Sequence, residues 1–376
     1  MTRLVIHLEN SQRGNHVFFP GNTLNGVVEL SLNEVKKFRG CYILIYGFAR
    51  AHWTETRTSS TGTGRNRRTT THTVHYEGKE VFLNSKTYLF GHHGGDAQDV
   101  QPGIHRYNFS CQLPEMLPYT MDGAHGNIGY YVECVIDVPW WFDEEVKVPF
   151  TVIRHDDLNL YPELRMGQRM EEVKTFCCLF CESGPLFMQV SIPHSGFAAG
   201  EKIPIQIHYK NSSDVEVLGT RLKLKRVISF TSHTPSTKTR TDKESMVELY
   251  ERGVGEKAEV THNFRIDVPG ILMNTNSRFC HVVRVEYYLK IEGVVGDCHT
   301  NPEIDIPITI GSVGFSSSVP QTNYPQPSAP PTHFPTALMA DEKDDLPPSF
   351  DEAVKMSKTE IVQSEKVPLG WNVTKS

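Results

Sequence analysis

The chain has 376 residues, 38% of them hydrophobic and 22% charged, with a formal net charge of −6. That length allows two cores and a tail, and the acidic balance argues against bulk nucleic-acid binding while leaving room for a local basic patch. No stretch approaches the ~20 apolar residues of a membrane span, and the opening MTRLVIHLEN holds a single Arg and no long apolar region before a cleavage site, so a cytoplasmic location is expected.

In chain order, Leu4 to Leu8 alternates like a strand, Phe18-Phe-Pro-Gly21 marks a turn, and Leu24 to Leu30 alternates again. Asn33 to Lys37 is the one stretch before residue 311 that suits a short helix. Cys41 to Phe48 is the most apolar strand of the first half, expected at the centre of its sheet and buried on both faces. Thr54 to His75 is polar and Gly-rich, which predicts a long exposed loop, and strand character returns at Val81 to Leu83. Gly91-His-His-Gly-Gly95 reads as a turn with His92 and His93 on the surface rather than on a metal. Gly129 to Val138 and Val146 to Ile153 form a further hairpin with Trp140-Trp-Phe142 at its bend. Packing of these aromatics between hairpin and sheet is preferred over a membrane-facing tip.

Val152 to Pro185 breaks the alternation with charge, Asn159 and a Tyr-Pro pair, as a domain junction does. Beyond it the first half is repeated at a shift of roughly 155 to 180 residues, too long for a solenoid and right for a duplicated domain. Phe19 to Val27 matches Phe197 to Ile205, and Phe109 to Pro114 matches Phe264 to Pro269. Tyr130 to Val132 matches Tyr287 to Leu289, and Val148 to Val152 matches Ile306 to Ile310. Strands arriving about every 8–12 residues with turns between them predict an all-β body of two sandwiches. The expected organisation is a first sandwich over 1–155, a connector and approach into the second lobe over 156–184, a second sandwich over 185–312, and a disordered Pro/Ser-rich tail over 313–376.

Cys41, Cys111 and Cys134 stand in strand-like runs and are expected as free thiols. Cys177, Cys178 and Cys181 are spaced tightly enough to suggest zinc, but a structural site needs a second ligand pair, and Cys280 and Cys298 are too far apart to make a knuckle. A packed apolar turn is preferred.

Three stretches carry a resemblance to the α-arrestins, also called arrestin domain-containing proteins: the Pro20-Gly21 turn with its following strand, the Ile136-Asp-Val-Pro-Trp140 hairpin, and Lys174 to Pro185 with its CCLFC core. The similarity covers about residues 4–312. It implies the arrestin fold, two tandem immunoglobulin-like β-sandwich lobes, and an adaptor that meets membrane cargo such as receptors or transporters. The tail would recruit ubiquitin ligases or endosomal sorting machinery, with the protein drawn to plasma membrane and endosomes.

The residues agree with a non-enzymatic role, since the chain lacks a GxSxG elbow, an HExxH pair, a phosphate-binding Gly loop and a dinucleotide fingerprint. No catalytic, cofactor-binding or metal residue is assigned, and no cofactor is expected. Pro327-Ser328-Ala329-Pro330 is a PSAP late-domain tetrapeptide of the kind endosomal sorting machinery reads, in a Pro-rich segment that loses little entropy on docking. Pro347-Pro348-Ser349-Phe350 resembles the family's PPxY motif for WW-domain ubiquitin ligases, except that Phe350 lacks the tyrosine hydroxyl, which weakens the expected binding. Arg65, Arg67 and Arg68 form a basic cluster whose ordinary use is solubility and whose second use is contact with anionic lipid or phosphate. Two alternatives remain: an arrestin-fold subunit of a retrieval coat, and a metal-dependent enzyme built on Cys177, Cys178 and Cys181.

Overall fold

Period-2 alternation, with one face of each strand turned to the core, organises the chain from its first described residue onward. The computed structural model describes residues 2–9, 11–12, 15–61, 68–178, 181–182, 184–296 and 299–316, with only the backbone described at 11, 12, 15, 68, 177, 178, 181 and 182. Residues 1–318 make one compact unit, which holds two lobes; residues 319–376, the second unit, lie outside the described residues.

The first lobe runs through β1 (Thr2–Leu8), β2 (Ser11–Gln12), β3 (Asn15–Phe18), β4 (Thr23–Leu32), β5 (Lys36–Phe38) and β6 (Gly40–Thr61). It continues with β7 (Arg68–Gly91), β8 (Gln98–Val100), β9 (Gly103–Gln112), β10 (Met121–Gly123), β11 (Gly126–Asp137) and β12 (Glu144–Val152). One sheet has the order β1-β4-β9; the facing sheet has the order β2-β3-β12-β11-β6-β7, with β10 on β11. Strand β4 shows the rule: Leu24, Val28, Leu30 and Leu32 are buried while Asn25, Glu29 and Ser31 look outward. They meet Ile43 and Ile45 of β6, Val132 of β11 and Phe150 of β12 in a shared core.

Three local expectations change. Asn33 to Lys37 is not helical: it bends and then enters β5, which pairs with β8. Strand β6 is central, between β11 and β7, but it is buried on one face only: Cys41, Ile43 and Ile45 point to the core, and Tyr42, Leu44, Tyr46 and Phe48 are half-buried on the other side. That outer face is covered by lysine stems, with Lys86 Nζ 3.7 Å above the Tyr42 ring and Lys79 Nζ 5.3 Å from the Tyr46 ring. Finally, the expected loop over 54–75 is mostly strand. Pairing between β6 and β7 runs on through Thr54↔His75 to Thr61↔Arg68. Thr-rich strands suit a backbone ladder, and with both faces in water they show no apolar alternation to read.

The second lobe comprises β13 (Gln168–Lys174), β14 (Cys177–Cys178), β15 (Cys181–Glu182), β16 (Leu186–Ile192), β17 (Gly196–Ala198) and β18 (Lys202–Asn211). Then come β19 (Val217–Ser232), β20 (Lys238–Val254), β21 (Glu259–Asp267), β22 (Val283–Val295) and β23 (Glu303–Gly311). Its sheets have the orders β13-β16-β18-β21 and β17-β23-β22-β19-β20. Strand for strand, β1-β4-β9 corresponds to β16-β18-β21, and β3-β12-β11-β6-β7 to β17-β23-β22-β19-β20. Within the stretch read as connector and approach, residues 168–174 form β13, an added edge strand on β16.

The duplicated sequence features take equivalent places. Gly21 and Gly200 both stand in left-handed backbone, at φ +80° and +85°, ahead of β4 and β18. Their amides donate to Pro114 O (3.3 Å) and Val268 O (3.1 Å), just after β9 and β21. Tyr130 of β11 donates its hydroxyl to Pro118 O at 2.6 Å, and Tyr287 of β22 donates to Met273 O at 2.8 Å. Burial pushes the Tyr287 hydroxyl up to about 12, so it stays a donor at any physiological pH.

Candidate inter-lobe latch and partner-facing surfaces

The two lobes are tied at two places. The first gathers the end of β12, the connector, the β21–β22 connection and the segment after β23. Arg154 donates Nε to Asp156 Oδ1 and Nη1 to Glu115 O, both at 2.7 Å, and its guanidinium lies 3.6 Å from the centroid of the Phe279 ring. Asn274 then uses one amide nitrogen against Asp156 Oδ2 (3.0 Å), Ser312 Oγ (2.8 Å) and Arg154 O (3.2 Å). The backbone carbonyl of Asn274 accepts from the Tyr119 hydroxyl of the first lobe at 2.8 Å. The backbone repeats the tie: Ser312 N and Val313 N donate to Asp156 O, and Leu158 N donates to Val313 O. Asn159 and Arg165 extend it, through Asn159 Nδ2 to Gly314 O (3.0 Å) and the Arg165 guanidinium 4.4 Å from the Phe315 ring centroid. Residues 313–316 thus belong physically to the folded unit. A cleft of about 650 Å³ opens beside this cluster, lined by Tyr119, Arg154, Arg226, Leu272 and Met273 among others.

The second tie is made by the β6–β7 hairpin, which leans across onto the second lobe. Glu80 of β7 accepts from the amides of His281 (2.8 Å) and Val282 (3.1 Å), and His281 Nδ1 lies 3.1 Å from its other oxygen. Three backbone hydrogen bonds join Glu77 to His233 and Thr234 at 2.7 to 3.0 Å. Between them Gly78 permits the approach, since a Cβ there would stand 2.0 Å from Thr231 O. Further out, Trp53 stacks on Tyr76 at 5.3 Å, and Lys238 of β20 reaches over to Glu55 at 2.5 Å. The contacts that cross between the lobes have no local signature, because Asp156 and Asn274, Tyr119 and Asn274, Glu55 and Lys238, and Glu80 and His281 are each more than a hundred positions apart; only Asp-Asp-x-Asn after β12 hints at a polar cluster.

The residues expected to bind partners are placed unevenly. Pro327 to Pro330, Pro347 to Phe350, Arg65 and Arg67 lie outside the described residues, and Arg68 is described by its backbone alone, as the first residue of β7 opposite Thr61. Arg57, on the same hairpin, is exposed and donates to the Tyr76 hydroxyl at 2.5 Å. Cys177 and Cys178 pair with Cys181 and Glu182 as a two-residue hairpin. Among the described residues no group of three or more His, Cys, Asp or Glu is gathered as a metal site. The Cys41 and Cys134 sulfurs lie 3.4 Å apart in the core, and their mutual hydrogen bond, then burial, pushes the Cys134 thiol up. Burial pushes Cys280 up to about 12 as well. These thiols are packing groups, not nucleophiles.

The bend after β11 differs most from expectation. Trp140, Trp141 and Phe142 do not pack between hairpin and sheet: they are 100%, 78% and 78% exposed. Pairing of β11 with β12 ends at Ile136↔Glu144, Trp141 N donates to Val138 O at 3.4 Å in the connection, and Trp140 sits at φ +60°.

Duplicated sandwiches joined by a short connector, each closed by a tyrosine on its longest sheet, match known domains. Residues 6–159 match the arrestin (or S-antigen) N-terminal domain, and residues 182–315 match the arrestin C-terminal domain. The chain belongs to the α-arrestin family. Arrestin domain-containing protein 4 of Mus musculus is 27% identical to this α-arrestin over 305 residues, which is 79% of this chain and 69% of the relative. Arrestin domain-containing protein 17 of Caenorhabditis elegans is 30% identical over 202 residues, 52% of this chain and 45% of the relative. Arrestin domain-containing protein 1 of Rattus norvegicus is 21% identical over 320 residues, 85% and 67% respectively.

Proposed function

We propose that this α-arrestin is a cytosolic, non-enzymatic adaptor that holds a membrane cargo protein with its lobes and presents its tail to sorting or ubiquitin-ligation machinery. The observation that carries the reading is the combination of two arrestin lobes with a following segment that holds two recruitment peptides, Pro327 to Pro330 and Pro347 to Phe350. Extended Pro-rich peptides are read by grooves at low entropic cost, so a tail of this composition serves as a docking strip. The reading places the protein in the cytoplasm, with recruitment to plasma membrane and endosomes. Among the described residues no helix is long and apolar enough to cross a membrane.

The test is affinity purification of the full chain beside residues 1–318, a boundary that spares the contacts of residues 313–316. Sorting components and WW-domain ligases should be lost with the tail while membrane proteins stay bound. Capture of the same fixed partner subunits by both forms would instead favour a retrieval-coat subunit and overturn the adaptor reading.

A further inference from the structure

The aromatic bend between β11 and β12 is built on a rigid base. Gly40 of β6 pairs with Asp137 at the last position of β11, Arg39 N donates to Asp137 O at 2.9 Å, and the Arg39 side chain holds the Asp137 carboxylate at 2.6 to 2.7 Å. Above this clamp the chain presents Val138-Pro-Trp-Trp-Phe142, five residues without charge, and then returns through Asp143, Glu144 and Glu145. Trp140 is held at φ +60°, a region that bulky side chains rarely adopt, and such outliers persist where the surroundings enforce them and cluster where function uses them. Three large aromatics in succession, each at least 78% exposed, form an exposed apolar feature of the kind that marks an interaction site.

The geometry narrows the partner. A protein groove reads a strand or helix through side chains on one face, at every second or every third to fourth position. Here three consecutive side chains are all exposed at a convex apex, which suits a medium that accepts them in every direction. Indoles combine an apolar body with an N–H donor and favour the boundary between hydrocarbon and water. The charge around the bend has no basic excess: Arg39 is paired with Asp137, Lys86 and Asp143 both lie near the Tyr42 ring, and Lys37 is outnumbered by Glu144 and Glu145, so an anionic surface is not attracted.

We infer that Trp140, Trp141 and Phe142 form a lipid-inserting tip that docks the first lobe on a net-neutral, zwitterionic bilayer. Insertion is driven by aromatic burial rather than by charge, so binding is insensitive to salt and gains nothing from anionic lipid. The inference rests on the adaptor reading only in that an adaptor for membrane cargo has a bilayer to meet. Its test contains no cargo and no tail partner, so either can fail without the other.

The experiment is co-sedimentation of the full chain with phosphatidylcholine vesicles, with and without phosphatidylserine and at low and high salt. Joint replacement Trp140→Ser and Trp141→Ser should lower the partition at least about tenfold, with the melting temperature unchanged. Ile271→Ser, which removes a residue 96% exposed in the β21–β22 connection, should leave binding intact. The chain's other tryptophans are Trp53, buried against Tyr76, and Trp371. In a Trp371→Phe background, brominated phosphatidylcholine should therefore quench the fluorescence of the tip. Absence of binding to phosphatidylcholine, equal partition by the double variant, equal loss with Ile271→Ser, or binding that needs phosphatidylserine and disappears in salt would each overturn the inference.

Discussion

Glu80 sets how the hairpin's hold on the second lobe depends on pH. Burial alone would raise its carboxyl, but the amides of His281 and Val282 and the His281 ring outweigh this, and the group lies below its ordinary value of 4.5. A carboxylate lowered in the folded state stabilises fully above the unfolded value and loses that contribution as pH falls through the folded one. Glu80→Gln should therefore cost about 1–3 kcal/mol at pH 7, read by urea unfolding, and the gap to the parent protein should close progressively below pH 4.5. A gap that stayed constant to pH 3 would mean the carboxylate charge is not what His281 and Val282 bind. Phe350 is the corresponding residue of the tail. If the missing hydroxyl forfeits about 0.5–1.5 kcal/mol, a 342–356 peptide should bind WW domains about 2- to 12-fold more weakly than its Phe350→Tyr version. Equal affinities in titration would show the hydroxyl to be irrelevant.

The β6–β7 hairpin is the element that the sequence described least well and that the fold uses most. Its outer half has no apolar side to bury, so alternation is silent there, yet continued pairing brings Glu55, Tyr76, Gly78 and Glu80 onto the second lobe. Gly78→Val should push the hairpin off Thr231 and cost about 1–3 kcal/mol, seen as a lower melting temperature. Faster tryptic cleavage at Arg57, now in a less protected strand, should accompany it. Unchanged stability would mean that the ladder at Glu77 and Thr234 yields without loss. The strands of the two cores were legible because one face meets hydrocarbon and the other water. So was the duplication, since the left-handed glycines and the corner tyrosines impose the same residue types twice.

Across the whole molecule, the cluster at Arg154 decides whether the lobes act as one body. Removing one member of a buried ion pair strands the other, so Arg154→Ala should cost about 3–5 kcal/mol and split thermal unfolding into two calorimetric transitions; a single transition would show the hairpin tie to be sufficient. Truncation after Ser318 should leave stability unchanged, whereas truncation after Gly311 removes the donors and acceptors that Ser312 and Val313 give to Asp156 and Leu158 and should cost about 1–2 kcal/mol. By itself the sequence determined the all-β class, the two sandwiches and the α-arrestin resemblance, because strand period, turn residues and duplication are local patterns that a chain must write into itself. Only the tertiary structure decided that the described residues of the polar segment over 54–75 extend the β6–β7 pairing, whose Glu55, Glu77 and Glu80 reach the second lobe, that Arg154, Asn274 and Ser312 share one cluster, and that Trp140 to Phe142 face outward. Those facts depend on which surfaces are left beside one another after both cores have formed, and no local spacing of residues encodes that.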